Sequence, residues 1–190
     1  MLRPLLIMFM CCCFATQVLA QSEPKPVEAV QSGSVQAGPM TLEQAKKLIV
    51  AGQSLQSIPQ TLWQKMLTPA QYGVLWKGDT ERPFSGALLD EKRAGTYVTA
   101  GCRIPVFRSE HKFDSGTGWP SFVDVAEADN VQLKRDFSWG MLRTEVLSSC
   151  GEHLGHVFKD GPKPTGLRYC INSAALVFIP DEQLPPIDVK

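Results

Sequence analysis

The sequence has no surplus of either charge: 19 Lys and Arg stand against 19 Asp and Glu in 190 residues. Binding to a phosphate backbone needs a basic excess, so nucleic acid and anionic membrane surfaces are set aside as partners. No apolar run approaches the ~20 residues needed to cross a bilayer; the longest, Leu5 through Phe14, is about ten. The chain also lacks an internal repeat, a coiled-coil heptad and a glycine loop that would cradle phosphate. Histidine is scarce, with three in the whole chain. Against these absences stands an ordinary globular composition, 44% hydrophobic and 20% charged, with apolar mass for one core and hence one main domain.

Residues 1–20 carry one cation, Arg3, then the short apolar run, then Val18-Leu19-Ala20 before Gln21. This is the layout of a secretory signal with a small-residue cleavage site, so the chain is expected to be exported to the periplasm or secreted, with no stable membrane insertion after cleavage. A lipoprotein reading through Cys11, Cys12 and Cys13 is disfavoured, because Met8 and Met10 precede Cys11. Of six cysteines, then, only Cys102, Cys150 and Cys170 require an account, against an oxidising background in which disulfides persist. Residues 21–39 are rich in Pro, Ser, Gln and Gly without periodicity and read as a linker.

Residues 40–67 read as an N-terminal helical segment. Thr41 with Gln44 three positions on forms a capping signal, followed by Leu42, Ala45, Leu48 and Ile49 at helical spacing. Thr68-Pro69-Ala70-Gln71 repeats it, with Pro at the first helical position. From about residue 84 the texture changes to short runs, among them Thr96-Tyr97-Val98, Val106-Phe107, Met141 to Val146 and Ala175 to Phe178. Gly, Pro, Asp and Ser turns separate them, so the body over 68–180 is expected to be mainly β and antiparallel. Residues 181–190, with Pro185-Pro186, read as an extended surface tail.

Three clusters carry chemistry. In Arg168-Tyr169-Cys170-Ile171-Asn172, strand alternation places Arg168, Cys170 and Asn172 on one face, so a cation and an amide flank the sulfur. The arginine would favour the nucleophilic thiolate, giving a low-pKa thiol; the alternative is a buried cysteine acting as a small hydrophobe. His153 and His156 lie close together and suit either proton transfer to a cysteine nucleophile or metal ligation on a turn. Trp119 and Phe122 follow a turn bracketed by Gly116 and Gly118. They serve either as core filling or as the apolar wall of a pocket.

Thr80-Glu81-Arg82-Pro83-Phe84-Ser85-Gly86, Phe113 through Phe122, His153 through Phe158, and Arg168 through Ser173 resemble, in order, the signature blocks of the methionine sulfoxide reductase B family. That resemblance implies two antiparallel sheets in a barrel-like or β-tent arrangement with short N-terminal helices. It further implies thiol-dependent reduction of methionine-R-sulfoxide, protein-bound or free, with Cys170 as nucleophile. Trp119 and Phe122 would bind substrate, and His153, His156, Asp160, Arg168 and Asn172 would organise the polar side. His156, with His153 assisting, is the expected acid for the departing oxygen. Cys170 would become a sulfenic acid, which a second thiol must reduce. No bound cofactor is expected, only an external thiol reductant of the thioredoxin type.

Many family members hold zinc with two C-x-x-C pairs. Here the corresponding segments are Thr99-Ala100-Gly101-Cys102 and Leu147-Ser148-Ser149-Cys150, so a four-sulfur site cannot form and no metal is expected. Sulfurs that share a tetrahedral zinc lie only ~3.8 Å apart, so the resemblance implies a Cys102–Cys150 disulfide in place of the metal. The alternatives are two separate thiols, or one of them as resolving cysteine, since the position that carries a resolving cysteine in many zinc-free members is Thr117. The competing function is a non-catalytic ligand- or metal-binding module on the same β-fold, which has no need of Arg168, Cys170, Asn172 and Trp119 together.

Overall fold

Both predicted capping boxes form in the computed structural model, which describes residues 39–53 and 55–183. Thr41 Oγ1 accepts the Gln44 N–H at 3.3 Å while Gln44 Oε1 accepts the Thr41 N–H at 2.8 Å, opening α1 (Leu42–Ala51). Thr68 and Gln71 repeat the exchange at 3.2 and 3.0 Å and open α3 (Pro69–Lys77). Between them lies α2 (Gln60–Met66). The expected signal segment 1–20, nearly all of the linker and the tail beyond residue 183 lie outside the described residues. No helix among the described residues is long and apolar enough to cross a membrane.

The body is mainly β, in two antiparallel sheets as expected. β1 (Gly95–Thr99) is the centre of a three-stranded sheet between β2 (Pro105–Arg108) and a late strand, β9 (Leu176–Pro180). The second sheet contains β3 (Lys112–Phe113), β4 (Ser121–Phe122), β5 (Val131–Asp136), β6 (Arg143–Ser148), β7 (His153–Phe158) and β8 (Arg168–Ile171), in the order β3-β4-β8-β7-β6-β5. β6 begins at Arg143 rather than Met141, because the chain first turns through Ser138–Gly140, and Met141 and Leu142 are left exposed. Ala175 likewise lies in a short turn before β9, fully buried. The start of the tail is fastened rather than loose: Asp181 takes a bidentate pair from Arg108 at 2.8 and 2.9 Å.

The core is aromatic. Phe107 stacks on Phe122 at 4.4 Å, Tyr97 meets Phe122 edge-on at 5.0 Å, and Tyr169, Val146, Leu154 and Ile171 complete the layer. A second cluster joins Ala45, Leu55, Leu62 and Trp63 of the helical segment to Cys102 and Cys150, which are bonded to each other. The crosslink closes 48 residues, a loop for which chain entropy gives roughly 4 kcal/mol.

Candidate active site

Residues opposite one another on neighbouring antiparallel strands share a face. Cys170 of β8 pairs with His156 of β7, which pairs with Glu145 of β6. Arg168 pairs with Phe158, while Asp136 of β5 pairs with Arg143. All of these lie on one face of the six-stranded sheet, whereas Val146, Tyr169 and Ile171 point the other way into the core. Thiol, imidazole, carboxylates and guanidinium groups are thus sorted to one side by alternation alone.

His153 and His156 are three apart, which in a regular strand would send them to opposite faces. A register shift places Gly155 opposite Val146 and His153 opposite Leu147, so β7 carries one extra residue, Leu154, which is buried in the core. The two imidazoles therefore share the site face, with ring centroids 5.5 Å apart. Gly155 is required there because a Cβ would overlap the Cys170 carbonyl oxygen and crowd the Ile171 Cα. Gly155→Ala should cost about 1–3 kcal/mol through this backbone clash; an unchanged melting temperature would show that β7 and β8 do not approach as closely as this.

A pocket of about 130 Å³ opens on this face, lined by Thr80, Trp119, Arg143, Gly155, His156, Phe158, Cys170 and Asn172. Its aromatic walls are Trp119 and Phe158, not Trp119 and Phe122. The register explains the difference: Ser121 pairs with Cys170 on the site face, so Phe122 pairs with Tyr169 on the core face and is fully buried. The Trp119 indole N–H donates to the Glu81 carbonyl at 3.1 Å. Glu81 is a strap between the two sides of the pocket, since its N–H donates to Asn172 Oδ1 and its carboxylate accepts the N–H groups of Ser173 and Ala174. Asn172 also donates from Nδ2 to the Leu154 carbonyl at 3.0 Å, so its amide is committed to holding the pocket together.

His156 Nε2 lies 2.9 Å from Asp136 Oδ2. Asp136 also accepts from the backbone and hydroxyl of Ser138 and from Arg143, and these bonds hold its carboxyl well below the usual carboxylate range. An ionised Asp136 can only accept, so His156 carries its proton on Nε2 and leaves Nδ1 as the proton-accepting nitrogen. Burial pushes the His156 pKa down, opposed by the Asp136 bond, so the ring is neutral near pH 7. His153 Nδ1 is 2.8 Å from Glu145 Oε1, and its Nε2 is buried without a hydrogen-bond partner among the described residues. Asp136, Glu145, Arg143 and Phe158 were not singled out in the sequence. Only Arg143 and Glu145 carried a local signal, as alternate polar residues in a strand that buries Val146.

The expected low-pKa thiol is not found. Burial raises the Cys170 pKa, outweighing the Thr117 hydroxyl at 3.9 Å and the Arg168 charge. Arg168 is largely engaged elsewhere: its Nε and Nη2 grip the two Asp160 oxygens at 2.9 Å, and its guanidinium lies 4.5 Å over Phe158. Asp160 is exposed and reaches the site only through that arginine. Cys170 is the one free cysteine among the described residues.

Residues 99–102 and 147–150 do not offer four sulfurs to a zinc ion. Cys102 and Cys150 are spent on each other, and Thr99 Oγ1 accepts the Ile104 N–H.

Residues 67–180 match the SelR domain family. The chain is similar to peptide methionine sulfoxide reductases MsrB of several organisms. It is 57% identical to that of Methanosarcina barkeri over 122 residues, 64% of this chain and 86% of that protein. For Bradyrhizobium diazoefficiens the identity is 60% over 119 residues, covering 62% and 86%. For Pseudomonas putida it is 55% over 129 residues, covering 66% and 97%.

Proposed function

This chain belongs to the SelR domain family of peptide methionine sulfoxide reductases, and on that premise we propose that Cys170 reduces methionine-R-sulfoxide, protein-bound or free, to methionine. The observation that carries the mechanism is the cross-strand pair of Cys170 and His156 on the floor of a small pocket walled by Trp119 and Phe158. The pocket accepts the end of a thioether side chain, with the methyl group against the aromatic faces and the sulfoxide oxygen toward the imidazoles.

The reaction starts from a thiol, because burial keeps Cys170 protonated at neutral pH. Neutral His156 takes the thiol proton at Nδ1 as sulfur attacks the sulfoxide sulfur, and the Asp136 carboxylate stabilises the imidazolium that forms. The same ring returns the proton to the oxygen as the S–O bond to substrate breaks. Methionine leaves and Cys170 holds the oxygen as a sulfenic acid. Arg168 stabilises negative charge on Cys170 while it is transiently a thiolate, and Asp160 holds that guanidinium in place.

Recovery consumes two external thiol equivalents, of the thioredoxin type: one condenses with the sulfenic acid to a mixed disulfide and water, and the second releases Cys170. Thr117 beside Cys170 and the mutual bonding of Cys102 and Cys150 favour this external route. The disulfide also supports export through the signal at residues 1–20 into an oxidising compartment. Turnover measured with separated R and S epimers of a methionine sulfoxide peptide and of the free amino acid tests the reading. Consumption of the R epimer alone is expected; consumption of neither, with any thiol reductant, returns the chain to a binding role.

A further inference from the structure

The mechanism leaves one buried acid unused. Glu152 is wholly inaccessible, and its partners are neutral. Its Oε1 accepts the Cys102 N–H at 2.8 Å, and its Oε2 accepts the Ser148 hydroxyl at 2.9 Å and lies 3.4 Å from Cys150 Sγ. Thr99 and the Gly101 N–H also serve it. These bonds satisfy buried donors, but neutral partners do not offset the desolvation of the carboxylate, which leaves a protonated acid against the crosslink favoured.

The other side of the same disulfide, whose cysteines are both buried, faces a groove. Both cysteines line this groove of about 740 Å³, with Ile49, Val50, Leu55 and Ile104 as its apolar walls. Arg103, exposed beside Cys102, is the one charged residue of that lining among the described residues. A cation in the lining attracts a thiolate toward the groove that the two cysteines line.

We propose that Cys102–Cys150 is a second redox centre, exchanged in the folded protein by an external dithiol entering this groove, with Glu152 as the acid that protonates the Cys150 sulfur. The thiolate of the dithiol attacks Cys102 Sγ, the bond between the two cysteines breaks, and its electron pair remains on Cys150 Sγ, which takes the Glu152 proton. The second thiol of the dithiol then attacks the mixed disulfide, and Cys102 leaves with a proton. Two electrons and two protons pass from the dithiol, which becomes a disulfide, to the cysteine pair, and Glu152 regains its proton from solvent. Burial, outweighing its hydrogen bonds, raises the Glu152 pKa above the usual carboxylate range, the direction that favours the protonated acid.

The test exposes the folded full chain to dithiothreitol, quenches by alkylation, and follows the peptides containing Cys102 and Cys150 by mass spectrometry. Reduction without loss of circular dichroism is expected, and Glu152→Gln should slow it about 10²-fold at pH 7. Turnover of methionine sulfoxide by oxidised Glu152→Gln should remain that of the wild type. A measurement on the wild type needs no variant: the reduction rate, divided by the thiolate fraction of dithiothreitol, should fall as pH rises through the Glu152 titration. Reduction only in denaturant, a corrected rate that is flat with pH, or wild-type reduction of a folded Glu152→Gln chain would each overturn the proposal.

Discussion

Cys170→Ser is expected to fold normally and to lose reduction of the R epimer by a factor on the order of 10⁴ or more, as removal of a lone nucleophile does. Serine keeps nearly the shape of cysteine, and the contacts that fix β8 belong to its neighbours: Tyr169 and Ile171 in the core and Asn172 on the Leu154 carbonyl. The hydroxyl, however, cannot be oxidised to the equivalent of a sulfenic acid, so oxygen has no acceptor. Since Cys102 and Cys150 are bonded to each other, neither substitutes for it. Near wild-type turnover by this variant, with melting temperature unchanged, would remove Cys170 from the chemistry.

His156→Ala should slow single-turnover reduction by about 10²–10⁴-fold, the usual contribution of a positioned acid or base. Its pH dependence is the sharper readout. The ring must be neutral to accept the thiol proton, and burial depresses its pKa, so the wild-type rate should hold as pH falls through 6.5 and decline only below the depressed value. Asp136→Asn removes the bond that favours imidazolium. The His156 pKa should then fall further, moving the acid limb to lower pH while the plateau drops, because the imidazolium intermediate is no longer stabilised. An acid limb that moves upward, or does not move, would mean that Asp136 does not act through His156.

The resolving thiol also has a structural answer. Cys150 lies in the turn two residues beyond the end of β6 at Ser148, which is three residues along the strand from Glu145, and two strand spacings separate Glu145 from Cys170. At about 3.3 Å per residue along the strand and 4.8 Å between strands, the sulfurs cannot meet without dismantling the sheet. Cys170 and the Cys102–Cys150 pair therefore lie too far apart to form a disulfide with each other in the folded chain.

Much of this protein was legible in local pattern. The capping boxes at Thr41 and Thr68 specify their helices because both hydrogen bonds of the box close within four residues. The alternation of Arg168, Cys170 and Asn172 against Tyr169 and Ile171 assigns the nucleophile to one face, since a strand has a period of two whatever it pairs with. β5 escaped notice for a related reason: as an exposed edge strand it carries few apolar residues and has no alternation to read.

Tertiary structure decided what depends on register and burial. Phe122 and Phe158 are equally plausible as pocket walls until pairing with Tyr169 or Arg168 sends one to the core and the other to the site. The shared face of His153 and His156 exists only through the bulge at Leu154, and Asp136 reaches His156 only because β5 lies two strands away across β6. Arg168 read alone implies an acidic thiol, but Asp160 occupies its guanidinium and the burial of Cys170 reverses the sign. Periodicity is written into neighbouring residues, whereas desolvation and pairing are set by strands that arrive from elsewhere in the chain.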